Sequence, residues 1–252
     1  MHEDGHFGAR VAATYDQDFG GSARAIVGPT VELLRELAQG GRALEFAIGT
    51  GRIALPLAQR GVPVAGIELS RAMVERLRAK EGGTGIEVAI GDMAATRVPG
   101  RFALVYLVFN TINNLTKQEA QIACFANAAA HLQPGGRFLV EVGVPSLQRL
   151  AKGETRLAFA LSDTHWGIDE FDTATQRFAS HHMTLRDGRW ERVTVPFRYV
   201  WPAELDLMAR LAGLGLEARW GGWGREPFSS LSESYVSVWR KPGDGERSSR
   251  GR

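Results

Sequence analysis

The sequence predicts an α/β protein with a doubly wound, mostly parallel sheet and a small antiparallel β insertion. In the first 145 residues, five short apolar runs alternate with helical patterns, which is typical of parallel strands joined by right-handed crossovers. Further along, two stretches of alternating polar and apolar residues flank Asp187-Gly188, and this pattern indicates a β-hairpin. The expected units are a helical cap (1–41), a core (42–145 and 201–241), an insertion that acts as a lid or dimer surface (146–200) and a disordered tail (242–252).

The composition limits the classes of protein to which the chain can belong. It has 252 residues, of which 44% are hydrophobic and 23% are charged, so it can bury a sizeable core. The net charge of +2 comes from interspersed basic and acidic residues, which argues against a nucleic-acid surface. The single cysteine, Cys124, permits neither an intramolecular disulfide nor a thiolate zinc cluster. Because membrane-span and signal-peptide patterns are also missing, we expect a cytoplasmic protein without nucleic-acid, membrane or metal partners.

A strand, a glycine turn and a helix start follow one another in residues 43–57, ALEFAIGTGRIALPL. Gly49 and Gly51 can adopt backbone angles closed to other residues, so a ligand can approach the main chain closely. The free N–H groups at the start of the next helix favour anionic groups. Pro56 fits this helix only within its first turn. The sequence thus predicts a cofactor site at this corner.

Carboxylates follow the second and third predicted strands. Glu68 lies roughly 20 residues after the glycine turn, where a carboxylate can accept both hydroxyl hydrogens of a ribose. Alternatively, Glu68 interacts only with the dipole of the next helix. Asp92 can accept a hydrogen bond from an exocyclic amine, and Met93 offers an apolar surface, although Gly-Asp is also common in turns.

Three asparagines, Asn110, Asn113 and Asn114, follow the fourth predicted strand, as ligand contacts or as ordinary loop residues. Tyr15 lies in a predicted polar loop, where it covers either the cofactor corner or only the domain edge. Because ligands of parallel sheets bind beyond the carboxyl ends of the strands, these strand-end residues are expected at one site. Residues 10–38 are predicted to form a polar start followed by a helix that contains Val31, Leu33, Leu34 and Leu37. The other predicted elements are helices at 70–78, 116–132 (Thr116 cap, Glu119 capping box) and 202–214 (ended by Gly215), a turn at 134–136, and strands at 62–68, 86–90, 101–109, 137–144 and 235–241.

Over about residues 15–241, the chain resembles the class I S-adenosylmethionine-dependent methyltransferases. Residues 45–51, EFAIGTG, resemble the glycine loop of that family, with Ala47 in place of its first glycine. Glu68 matches the family's ribose-binding acid, and Asp92-Met93 matches its adenine contact. The resemblance implies a Rossmann-like methyltransferase sheet with an antiparallel last strand. It also implies cofactor contacts from Tyr15, Glu45, Ala47, Gly49, Gly51, Arg52, Glu68, Leu69, Asp92, Met93, Phe109 and Asn110.

Within the class, the chain is most similar to bacterial small-molecule enzymes, including aminosugar N-methyltransferases. In those sugar enzymes a histidine often follows the fourth strand, where this chain has Asn114. The implied activity is N- or O-methylation of a small acceptor, with S-adenosylhomocysteine as product. We expect catalysis by alignment of the acceptor, with Tyr15, Asn114 and His182 as candidate catalytic residues. His181 and His182 should point to opposite faces of a strand, so at most one faces a cleft, and either can be an ordinary surface or core histidine.

Two other functions remain open at this point. The pattern Gly49-x-Gly51-x-x-Ala54, with Glu68 downstream, also fits a nicotinamide-dependent oxidoreductase. Against it, Glu45 places a carboxylate just before the pyrophosphate position, and none of the four tyrosines has a lysine four residues later. The other alternative is a non-catalytic protein that binds S-adenosylmethionine. A homodimer is a further expected option.

Overall fold

In the computed structural model, which describes residues 7–18, 20–243 and 245, the chain forms two sheets. The larger sheet has seven strands in the order β10-β11-β5-β4-β1-β2-β3. They are β1 Ala43–Phe46, β2 Val64–Glu68, β3 Glu87–Ile90, β4 Phe102–Leu107, β5 Leu132–Gly143, β10 Gly215–Trp220 and β11 Ser234–Arg240. Strands β1 to β5 pair in parallel, whereas β11 is antiparallel to both β5 and β10. This confirms the doubly wound sheet and its antiparallel last strand.

Apolar residues cover both faces of this sheet. Successive residues of β4 belong to different clusters: Val105 packs with Phe125 and Trp239, whereas Tyr106 packs with Leu34. Because neighbouring side chains of a strand point to opposite faces, the two clusters lie on opposite sides of the sheet. The helices are α1 Ala9–Asp18, α2 Gly20–Ala38, α3 Ala54–Gln59, α4 Arg71–Arg78, α5 Gln118–His131 and α6 Pro202–Leu211. Helices α5 and α6 contribute to the Val105 cluster, and α2 and α3 contribute to the Tyr106 cluster.

The N-terminal region differs from the prediction, because Tyr15 lies within helix α1 instead of in a loop. Within this helix Ala12 is buried, and the Asp16 carboxylate accepts a hydrogen bond from Thr50 Oγ1 at 2.6 Å and pairs with Lys80. Helix α3 begins at Ala54, so Pro56 falls in the first turn, as predicted.

Three further predictions about local structure were wrong. Helix α5 begins at Gln118, after Lys117, and among the described residues no side chain caps it, so the predicted capping box with Thr116 and Glu119 does not form. The predicted turn at 134–136 is part of β5, because Gly135 and Gly136 bond to the backbone of Lys241 beyond the end of β11. The extended pairing thus replaces the turn.

The third error concerns the end of α6. This helix ends at Leu211, and Gly213 follows it with a φ of 76°, in the left-handed region. Gly215 therefore begins strand β10, which was not predicted, instead of ending the helix. The predicted disordered tail at 242–252 lies almost entirely outside the described residues.

The insertion forms a separate four-stranded antiparallel sheet in sequential order, here called the insertion sheet. Its strands are β6 Arg156–Leu161, β7 His165–Asp172, β8 Arg177–Arg186 and β9 Arg189–Arg198. The predicted hairpin is confirmed, since Asp187 and Gly188 join β8 to β9 with positive φ angles of 50° and 74°. Pro196 lies on β9, an edge strand, where its missing N–H does not interrupt a ladder on both sides.

A buried ion pair holds the insertion sheet to the core. Arg198, the last residue of β9, donates to Glu204 of α6 at 2.7 Å, and their side chains are only 7% and 15% exposed. The same guanidinium donates to Gln121 of α5 at 2.5 Å and to Gln176 at 3.2 Å. Burial alone would raise the pKa of Glu204, but hydrogen bonds from Arg198 and Gln176 lower it below its usual range.

None of the described helices is long and apolar enough to cross a bilayer.

Replacing Arg198 by methionine should lower the free energy of unfolding by about 3 kcal/mol or more, because Glu204 is left as a buried carboxylate without its main partner. Chemical denaturation of the two proteins measures this difference. The matched control is Arg156→Met, since the Arg156–Glu170 pair has the same chemistry on the exposed side of the insertion sheet and should contribute little. Equal losses of unfolding free energy in Arg198→Met and Arg156→Met would show that the Arg198–Glu204 pair contributes no more than an exposed ion pair.

The same pair predicts a pH dependence of stability. The pKa of Glu204 is lower in the folded than in the unfolded chain, so its contribution is present above the unfolded pKa and is lost as the pH falls through the folded pKa. The difference in stability between the wild type and Arg198→Met should therefore narrow as the solution is acidified. A difference that is constant with pH would show that Glu204 is not the group involved.

Candidate active site

The glycine loop after β1 turns through three left-handed residues. Ala47, Gly49 and Gly51 have φ angles of 52°, 57° and 78°. At Gly51, a Cβ atom would lie 2.6 Å from the Leu77 side chain, so glycine is needed for packing. A Cβ atom at Gly49 would have the Ala47 oxygen as its nearest neighbour, at 3.9 Å, so the space beside this glycine is open. A ligand can therefore lie against the backbone at Gly49. The left-handed φ at Ala47 costs about 1–2 kcal/mol, which explains why related loops have glycine there.

Glu68 joins the glycine loop to the next strand and helix. Its carboxylate accepts a hydrogen bond from Gly49 N at 2.8 Å and another from Ser70 N at 2.9 Å. Ser70 in turn caps α4 by accepting from Met73 N at 3.2 Å. With only 6% of its surface exposed, Glu68 lies at the carboxyl end of β2 as predicted. Its contacts extend beyond the helix it precedes, so the helix-dipole alternative does not describe them fully.

Glu45 lies in β1, just before the glycine loop. The Tyr106 hydroxyl donates to its carboxyl group at 2.9 Å. Burial and, to a smaller extent, the nearby charge of Glu68 raise the pKa of Glu45 to about 8, against the opposing effect of the Tyr106 hydrogen bond. Glu45 is therefore largely protonated at neutral pH, and Glu68 carries the negative charge of this corner.

Arg52 lies between two aromatic rings at the start of α3. Its guanidinium carbon is 5.1 Å from the centre of the Tyr15 ring and 4.7 Å from that of Phe109. Within the described part of the chain, its buried Nη2 atom has no hydrogen-bond partner. A buried donor without a partner is costly, and a carboxylate from a ligand would satisfy it. The structure thus brings Tyr15, Arg52 and Phe109 together next to the glycine loop.

Asp92 and Met93 follow β3, as predicted, but they lie in a tight turn. The Asp92 carboxylate accepts from Ala94 N at 2.8 Å, which leaves its second oxygen toward solvent. Met93 is buried, and its carbonyl oxygen accepts from Asn127 Nδ2 at 2.7 Å. Leu69, the residue after Glu68, is 44% exposed.

The loop after β4 begins with two left-handed residues, Phe109 and Asn110, both with a φ of 58°. Glu141 of β5 accepts a hydrogen bond from Phe109 N at 2.6 Å. The Asn110 side-chain oxygen accepts from Gly143 N, so this oxygen stabilises the loop. Glu141 was not among the predicted site residues, although an acid inside the apolar run 138–144 is a signal that could have identified it.

Beyond this loop, Asn113 and Asn114 present buried side-chain oxygens that no group in the described chain satisfies. Two neighbouring unsatisfied acceptors mark a place that hydrogen-bond donors of a ligand can occupy. His182 is not part of this cluster. It lies on the insertion sheet, where its ring stacks on His165 with 9° between the planes, while His181 points to the opposite face and contacts Thr194.

The residues around the glycine loop fit S-adenosylmethionine. The open backbone at Gly49, the carboxylate of Glu68 and the unsatisfied guanidinium of Arg52 match an adenosine ribose and the carboxylate of an amino acid.

Comparisons with known proteins agree with this geometry. A family model described as "Methyltransferase domain" matches residues 43–136. The structure is similar to the CcbJ methyltransferase from Streptomyces caelestis, with 34% identity, a TM-score of 0.83, and coverage of 96% of this chain and 100% of that one. S-adenosylmethionine-bound CalS10, an amino pentose methyltransferase from Micromonospora echinaspora, shares the fold, with 20% identity, a TM-score of 0.68 and coverage of 91% and 95%.

Among curated proteins, the cypemycin N-terminal methyltransferase of a Streptomyces species is 28% identical over 203 residues, which are 77% of this chain and 81% of that protein. These findings remove the nicotinamide-dependent oxidoreductase from consideration. Together with the cofactor corner, they show that the chain belongs to the class I S-adenosylmethionine-dependent methyltransferases and is an enzyme of the small-molecule type.

Proposed function

We propose that the enzyme methylates the nitrogen of a small-molecule amine. The observation that carries this proposal is Asn114, whose unsatisfied buried oxygen can accept a hydrogen bond but cannot take a proton at neutral pH. A neutral amine already has a lone pair available for attack, whereas a hydroxyl group must lose its proton to become a strong nucleophile. Asn114 can therefore orient an amine without a base at this position.

Related proteins support an amine acceptor. Cypemycin N-terminal methyltransferase carries nitrogen methylation in its name. So does the dTDP-3-amino-3,4,6-trideoxy-alpha-D-glucopyranose N,N-dimethyltransferase of Streptomyces venezuelae, which is 32% identical over 98 residues, or 39% of this chain and 40% of that protein.

In the proposed complex, Glu68 accepts hydrogen bonds from the ribose hydroxyls, because each carboxylate oxygen can accept more than one hydrogen bond. Arg52 pairs with the carboxylate at the amino-acid end, and the Asp92 carboxylate and Met93 contact the adenine. When bound, S-adenosylmethionine supplies an electrophilic methyl group, so the protein has no need to activate it. The residues of the chain then have to orient the acceptor and exclude water.

The insertion sheet supplies an aromatic surface for the acceptor. Phe171, Phe178 and Phe197 stack in a row, with ring centres 5.3 and 4.9 Å apart, and buried Tyr199 packs beside them. Trp166 lies on the opposite face of the sheet, packs on Trp190 and is 47% exposed. We therefore assign the acceptor surface to the phenylalanine row.

Incubation with S-adenosylmethionine and pairs of small molecules that differ only in an amine or a hydroxyl group tests the proposed chemistry. S-adenosylhomocysteine should accumulate with the amines, because Asn114 can orient an acceptor but cannot take the proton of a hydroxyl group. Mass spectrometry of the product identifies the methylated atom. Turnover of the hydroxyl partners alone would refute N-methylation, and tight S-adenosylhomocysteine binding without any turnover would support the non-catalytic alternative.

Replacing Glu68 by alanine should weaken the binding of both S-adenosylhomocysteine and 5′-methylthioadenosine by at least about tenfold, because both ligands have the ribose. Isothermal titration calorimetry measures the two affinities. Glu87→Gln is the control, since Glu87 is an exposed carboxylate on the adjacent strand. Unchanged affinity in a folded Glu68→Ala protein would show that Glu68 has only a structural role.

Replacing Arg52 by methionine should separate the same two ligands. S-adenosylhomocysteine should bind about tenfold or more weakly, since a charged hydrogen bond to its carboxylate is lost. 5′-Methylthioadenosine lacks that carboxylate and should bind with nearly unchanged affinity. An equal loss for both ligands would indicate that Arg52 acts only by packing between Tyr15 and Phe109.

A further inference from the structure

Asp169 of β7 is an acidic residue in the middle of the insertion sheet. Its Oδ1 atom is buried and, within the described chain, has no hydrogen-bond partner. Ser180, its neighbour across β8, donates a hydrogen bond to the carboxylate. Burial raises the pKa of Asp169, against the opposing effect of this hydrogen bond. One oxygen of the carboxylate is therefore hydrogen-bonded, while the buried Oδ1 has an unmet capacity to accept a hydrogen bond.

A chain of hydrogen bonds continues from Ser180 to two histidines. The Ser180 hydroxyl lies 3.3 Å from His182 Nε2, and His182 Nδ1 lies 3.1 Å from His165 Nε2. Because the hydroxyl hydrogen of Ser180 points to Asp169, the consistent arrangement has His165 donating to His182 and His182 donating to Ser180. Burial lowers the pKa of His182, and the neighbouring His165 and His181 add to this effect.

These polar groups share a face with the phenylalanine row. The strand register places Asp169 opposite Ser180, and Phe171 opposite Phe178, on the same side of the sheet, here called the Phe178 face. Phe171 and Ser180 are both buried. Tyr199, where the chain re-enters the core, packs against Phe171, so this face continues into the body of the protein.

Among the other charged groups of the sheet, His181 partly opposes the effect of burial and lowers the pKa of Asp169. Glu170, His181 and Arg192 lie on the opposite face, where Glu170 pairs with Arg156. Glu191 is on the Phe178 face but near the far end of the sheet, beside Arg186. Among the described residues of the Phe178 face, Asp169 is thus the one carboxylate with a buried oxygen that has no hydrogen-bond partner.

We propose that the Phe178 face binds the acceptor as a protonated amine with an apolar body, and that the free oxygen of Asp169 pairs with the ammonium group. This inference rests on the proposed N-methylation and names the residue that selects its substrate. Ser180, His182 and His165 are positioning residues, since they hold the Asp169 carboxylate with one oxygen toward the ligand. His182, expected from the sequence to be a candidate base, acts here through Ser180.

The same arrangement handles the proton of the reaction. The ammonium group transfers a proton to the Asp169 carboxylate, which leaves a neutral amine and a neutral carboxylic acid. The nitrogen lone pair then attacks the methyl carbon, the N–C bond forms, and the C–S bond breaks with its electron pair on sulfur. The positive charge of the sulfonium thus passes to the methylated nitrogen, and Asp169 releases its proton to solvent after the product leaves.

Benzylammonium is a suitable probe, because it combines a cation with an aromatic ring. We expect it to shift the NMR signals of His165 and His182 when added to the full-length protein bound to S-adenosylhomocysteine. Asp169→Asn should weaken its binding by at least about tenfold, whereas Glu170→Gln, which alters the next carboxylate on the other face, should change it less than about twofold. Benzyl alcohol, which has the same shape without the charge, should bind much more weakly than benzylammonium.

A second measurement on the unmodified protein avoids dependence on the folding of Asp169→Asn. Benzylammonium affinity should fall as the pH decreases and Asp169 becomes protonated, and Ser180→Ala should shift the midpoint upward because it removes the bond that favours the ionised carboxylate. Binding that is indifferent to pH and to Asp169, or equal binding of benzyl alcohol, would overturn the inference. If binding did not depend on Asp169 but amines were still methylated, the proposed function would stand and only the role of Asp169 would be refuted. Binding that depends on Asp169 without turnover of any amine would instead refute the proposed function.

Discussion

The carboxylate of Glu68 is the interaction on which the cofactor corner depends. It holds Gly49 N and Ser70 N at once, and these two groups belong to the glycine loop after β1 and to the start of α4. One side chain therefore sets the distance between two segments that are separated by a whole crossover. The open backbone at Gly49 and the aromatic enclosure of Arg52 are both arranged around this link. In energetic terms, a buried anion with several N–H donors stabilises the folded loop before any ligand binds.

The sequence was most informative where hydrophobic periodicity ends in a polar residue. Glu68 and Asp92 were predicted at strand ends because a buried strand leaves an unmistakable apolar run, and the chain must leave the sheet where that run stops. The hairpin at Asp187-Gly188 was predicted for a similar reason, since few residues tolerate two positive φ angles.

Other features depend on tertiary contacts that no local pattern encodes. The capping box predicted at Thr116 does not form, because the helix starts two residues later. The glycines at 135 and 136 were predicted to form a turn, because their pairing with Lys241 spans more than 100 residues and leaves no local pattern. Asp169 was missed because a lone aspartate in an alternating strand has the appearance of an ordinary solvent-facing residue. Its significance emerges only when β8 places Ser180 beside it.

The paired left-handed residues Phe109 and Asn110 have a consequence for how this enzyme can diversify. Each costs roughly 1–2 kcal/mol in backbone energy, and hydrogen bonds to Glu141 and Gly143 in β5 offset that cost. A β-branched side chain at either position would release the loop from β5 and displace the asparagines that follow it. New acceptors are therefore accommodated most readily by exchanges on the insertion sheet, whose side chains carry no such backbone constraint. Substitutions on the insertion sheet can therefore change the acceptor specificity while the methyl-donor pocket keeps its shape.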